Sequence, residues 1–74
     1  MENKELKQKV NRELVKYYIA RNKETMETLA KALGVTRASL SRKLTAELPL
    51  TLHEVQLIAD RYHLTHEEII EAFF

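Results

Sequence analysis

The lone glycine of this chain, Gly34, falls between two short amphipathic runs, and no other feature limits the fold so much. Before it, residues 26–33 carry Leu29, Ala30 and Leu33 at spacings that put them on one face of a helix. A glycine just past the last apolar position is the usual helix stop, because it enters the left-handed backbone region without the steric cost of a Cβ. Val35 then fills the angle, and Thr36 is placed to cap a second helix by accepting a hydrogen bond from its free N–H groups. That second helix continues through Leu44 and is about 13 Å long. Residues 25–44 therefore read as helix, tight turn, helix, with Thr25 capping the first.

The second helix has two chemically different sides. Leu40 and Leu44 lie together, whereas Ala38, Ser41 and Arg42 point the other way and Arg37 sits at the exposed start. Arginine can donate two hydrogen bonds to guanine, serine can bond to several bases, and an alanine methyl can touch a thymine methyl. Such a surface, with no acidic group nearby, suits base edges in a DNA major groove. Any solvated amphipathic helix would show the same apolar stripe, and it is the helix, glycine turn, helix context that favours the nucleic-acid reading.

The segment resembles the helix-turn-helix of phage repressors and Cro proteins, the lambda-repressor-like or Xre family, through Leu29-Ala30, Leu33-Gly34-Val35, Thr36-Arg37, Leu40 and Ser41-Arg42. Residues 48–70, LPLTLHEVQLIADRYHLTHEEII, look like that family's fourth and fifth helices. The chain departs from the pattern at Met26, where the family often has glutamine, and at Lys43, a position usually apolar whose core role passes to Leu44. The run RASLSRKL also resembles the Fis-type motif, which normally closes its chain, whereas 30 residues follow Leu44 here. The resemblance implies an operator-binding regulator. In that role Arg37, Ala38, Ser41 and Arg42 face base edges, Thr36 and Ser39 fix the start of the recognition helix against phosphate, and Lys43 and Lys31 contact the DNA backbone.

Charge supports the same orientation. The net +1 of the chain hides a dipole, because residues 1–27 carry a net +2, residues 28–46 a net +4 and residues 47–74 a net −5. A polyanion is attracted by the middle and repelled by the C-terminal third. Seventy-four residues suffice for one small domain, 1–74. The chain has no cysteine, and so neither a disulfide framework nor a thiolate zinc site. It has no apolar run near ~18 residues and no signal-peptide pattern, so a cytoplasmic, nucleoid-associated protein is expected.

Elsewhere the apolar spacing of Leu6, Val10, Leu14 and Tyr18, widened by Val15 and Ile19, predicts one long helix from Leu6 to about Asn22. Its lysines and arginines, Lys9, Arg12 and Lys16, read as a solvated face, and Lys4 and Lys7 are candidates for an N-terminal arm on phosphates. Thr51-Leu52-His53-Glu54 and Thr65-His66-Glu67-Glu68 are capping boxes that fix two further helix starts. Leu48 and Leu50, around the only proline, fold back onto the core. The fourth helix offers Leu52, Val55, Ile58, Ala59 and Tyr62 as its buried face. The fifth offers two stripes, Ile69 with Phe73 and Ile70 with Phe74. No strand-like alternation appears, so the expected fold is all-α with five helices.

The other constellations carry no chemistry. His63 and His66 are separated by a helix boundary and His53 belongs to another helix start, so no metal site is expected; neither is a cofactor, a small-molecule ligand or an enzyme. Tyr17, Tyr18 and Tyr62 read as core or core margin. The surplus apolar stripe Ile70 and Phe74 is a candidate homodimer surface, since helix-turn-helix proteins usually pair to read two half-sites. The expected partner is double-stranded DNA. The alternative is a helical protein-interaction module or antitoxin-type adaptor without sequence-specific DNA binding of its own.

Overall fold

The computed structural model describes residues 9–74. Among them are five helices and no strand: α1 Arg12–Arg21, α2 Met26–Leu33, α3 Arg37–Leu44, α4 Leu52–Tyr62 and α5 His66–Phe73. The all-α reading thus holds, and α2, α3, α4 and α5 begin where the capping threonines place them. Thr25, Thr36, Thr51 and Thr65 each accept from the N–H three residues on. Glu54 and Glu68 return a carboxylate to the backbone N–H of Thr51 and Thr65, completing two capping boxes. Thr28 does the same for Thr25 with its hydroxyl, a third box.

Helix α1 begins later than its apolar spacing predicts. Asn11 caps it by accepting from Leu14 N–H, and the N–H groups of Lys9 and Asn11 donate to the carbonyls of Phe73 and Ala72. Backbone hydrogen bonds spent on the end of α5 are not available for another turn of α1, so Val10 packs on the core from outside the helix. Leu6, Lys4 and Lys7 lie outside the described residues.

Gly34 has φ 77°, and its N–H donates to Lys31 while that of Val35 donates to Ala30. This is the paired hydrogen-bond closure of a Schellman motif, with Val35 packed against the core beyond it. Three non-glycine residues also take positive φ just past a helix: Lys23, Ala46 and His63. With no glycine at those places, α1, α3 and α4 end this way at some local cost.

The core joins Val15, Tyr18 and Ile19 of α1, Leu29 and Ala30 of α2, Leu40 and Leu44 of α3, Val55, Ile58 and Tyr62 of α4, and Ala72 and Phe73 of α5, with Leu50 folded in from the loop. Leu48 is half-buried. Leu52 departs from its expected core place. As the first residue of α4 it lies beyond the turn that faces the core, and it is 72% exposed. Tyr17 is also exposed, unlike Tyr18 and Tyr62, and lies beneath the Arg21 guanidinium. No helix among the described residues is long and apolar enough to cross a membrane.

Candidate nucleic-acid interface

Helix α3 is held by burial of Leu40 and Leu44, and the rest of its circumference follows from that anchor. At about 100° per residue, Ala38 and Arg42 fall in the middle of the outward arc, and both are exposed. Arg37 and Ser41 lie on one flank and face α1. Lys43 lies on the other flank and faces α4.

Arg37, Ala38 and Ser41 form one wall of an open groove of about 420 Å³ whose other wall is Arg12 and Lys16 of α1, with Met26 of α2 also lining it. The first turn of α3 contains no acidic residue, whereas those of the other four helices all do. Arg37 therefore stands at a helix end whose own dipole is positive, an arrangement that favours an anion there. Among the described residues, no carboxylate forms an ion pair with Arg12, Lys16 or Arg37. Arg42 has only a loose partner, Glu47 at 4.0 Å, with both side chains mostly in solvent.

Thr36 Oγ1 caps α3 by accepting from Ser39 N–H at 3.0 Å, which leaves its own proton free to donate outward. Ser39 is half-buried behind it. Lys31 is exposed, but it lines a separate shallow depression with Thr28, Ala32 and Arg61, so the fold does not bring it to the α1–α3 groove.

Lys43 is engaged within the fold. Its ammonium donates to the Pro49 carbonyl at 3.1 Å and to Glu54 at 3.2 Å, and its side chain is only 13% exposed. It ties the end of α3 to the start of α4. Burial raises the Glu54 carboxyl, but the Thr51 N–H and Lys43 outweigh it and hold the group below its ordinary value. Its counterpart is Glu24, which takes two hydrogen bonds from Arg61, at 2.8 and 2.7 Å, and a third from the buried Tyr62 hydroxyl at 2.8 Å. Arg61 foremost holds the Glu24 carboxyl below its ordinary value, while burial and Glu24 push the Tyr62 hydroxyl up.

The spacing of Arg12 and Lys16 was available as a signal, since residues four apart share a helix face. Nothing local shows that this face looks across at α3. The second apolar stripe of α5 is exposed, with Ile70 at 59% and Phe74 at 37%, while Phe73 is fully buried and Ile69 partly so. Phe74 and Leu52 share a further groove with Val55, Ala59, Leu64 and Ile69. Among the described residues no group of three or more His, Asp or Glu side chains could hold a metal ion.

An outward cationic helix, seated by a glycine turn on a second helix and backed by three more, defines a helix-turn-helix domain. The chain belongs to the BetR domain family, whose model matches residues 2–72. This is a family of small helical domains of the DNA-binding, regulatory helix-turn-helix type. The assignment corrects the resemblance to the lambda-repressor-like or Xre family, which is a different family. Most of the residues behind that resemblance, Leu29-Ala30, Gly34-Val35, Thr36 and Leu40, supply core, turn and cap. They mark a supersecondary unit that more than one family builds. No curated protein and no solved structure matches the chain.

Proposed function

We propose that this domain binds double-stranded DNA sequence-specifically, laying α3 in the major groove to regulate transcription. The observation that carries this reading is the division of α3: Leu40 and Leu44 are buried while Arg37, Ala38 and Arg42 are exposed on a helix whose first turn has no acid. Arg37, Ala38, Ser41 and Arg42 contact base edges, and Thr36 and Ser39 set the start of the helix against phosphate. Lys31 contacts backbone farther along α2. Selection of bound sites from a randomised duplex pool gives the preferred sequence. On that site Arg37→Ala or Arg42→Ala costs about 1–3 kcal/mol and relaxes preference at one base pair. Equal losses on all sequences would mean that these arginines read no bases.

The exposure of Ile70, Phe74 and Leu52 supports a second element of the proposal, that two copies pair through α5 and the start of α4 to span two half-sites. Sedimentation at micromolar concentration reads this directly. A monomer both alone and on the selected DNA removes the pairing and leaves the reading of α3 intact.

A further inference from the structure

From the groove between α1 and α3 we infer that α1 is a second DNA-contacting element: Arg12 and Lys16 hold backbone phosphate beside the groove that α3 reads. This rests on the proposed DNA binding and adds to it a clamp on a different helix. Four observations meet here. Arg12 and Lys16 face Arg37 and Ser41 across one open groove. Both are exposed, and neither has an ion-pair partner among the described carboxylates, whereas Arg21 on the same helix pairs with Glu68. They are one helical turn apart, so their heads present two cations in a row. Finally, the wall opposite them begins at the dipole-positive start of α3 with Arg37.

A groove with three cations and no acid attracts anions, and the one polyanion that α3 would bring alongside it is the duplex backbone. Phosphate contacts carry register and affinity without sequence information, so this clamp would fix how α3 lies in the groove rather than which bases it prefers.

The test compares the full chain with Arg12→Ala, Lys16→Ala and the double variant, titrating the selected duplex and a random duplex over a salt series. Both side chains are exposed, so the melting temperature should be unchanged, and circular dichroism checks it. The double variant should lower the salt slope by about 1 to 2 and weaken both duplexes alike, roughly ten-fold at moderate salt, with their ratio kept. Lys23→Ala, an exposed cation in the α1–α2 connection that does not line the groove, should change the slope much less.

If the double variant binds as the parent does while Arg37→Ala still loses base preference, the clamp is overturned and the reading of α3 stands. An equal effect of Lys23→Ala also overturns it, by reducing the groove to bulk charge. A change in the specific-to-random ratio overturns it too, because Arg12 and Lys16 would then be reading bases. A parent chain with no salt-dependent duplex binding removes both proposals together.

Discussion

On the α4 and α5 side of the molecule Arg61, Lys43 and Arg21 each end on a carboxylate, Glu24, Glu54 and Glu68, whereas along the α1–α3 groove Arg12, Lys16 and Arg37 end in solvent. The paired cations join elements distant in sequence. Glu24 fastens the α1–α2 connection to α4, and Lys43 fastens α3 to the loop and cap of α4. The unpaired ones join nothing. A cation kept in water without a partner contributes little to stability and stays available to an external anion. The difference teaches that the basic residues here serve two purposes, and that formal charge does not distinguish them.

The sharpest way to break this comparison is at Glu24. Glu24→Ala should cost about 1–3 kcal/mol by denaturant unfolding at neutral pH, because the buried Tyr62 hydroxyl and Arg61 lose their acceptor together. Since the folded carboxyl is held below its ordinary value, its contribution is complete above the ordinary carboxylate range and is lost as pH falls through the depressed value. The gap between parent and variant should therefore close on acidification. A gap that persists at low pH would show that shape, not charge, is what Glu24 supplies.

Lys43→Met comes next, with an expected loss of about 1 kcal/mol, since Glu54 keeps its hydrogen bond from Thr51. Duplex affinity should not change. A uniform fall in affinity on all sequences would show that Lys43 leaves Glu54 to reach phosphate, and the division between paired and free cations would fail there.

The smallest effect is expected at Glu47, whose contact with Arg42 lies between the two classes. Glu47→Ala should leave stability within about 0.5 kcal/mol and raise duplex affinity about two-fold, by removing a negative charge beside Arg42. A measurable loss of stability would move Arg42 into the structural set and weaken its assignment to base edges.

Much of the fold was legible because its signals are local. The threonine caps act within one helical turn, Gly34 acts at its own φ, and Leu40 and Leu44 need only the helical repeat to share a face. What the sequence left unread mostly involves partners remote along the chain, with Leu52, exposed at the start of α4, as the exception. Val10 fits the α1 stripe, yet the end of α5 takes the backbone hydrogen bonds beside it. The contact of Lys43 with Glu54, eleven residues on and 3.2 Å away, is not visible in local sequence either. Arg12 and Lys16 are exposed, as a solvated face should be, but only the fold sets α3 across from them.

By itself the sequence determined that this chain makes short capped helices with one glycine turn and a cationic middle, since those properties depend on neighbours within about four residues. Only the tertiary structure decided which cations meet a carboxylate and which are left open along α1 and α3. Pairing over tens of residues depends on how the core orients each helix, and helical periodicity alone does not contain that rotation.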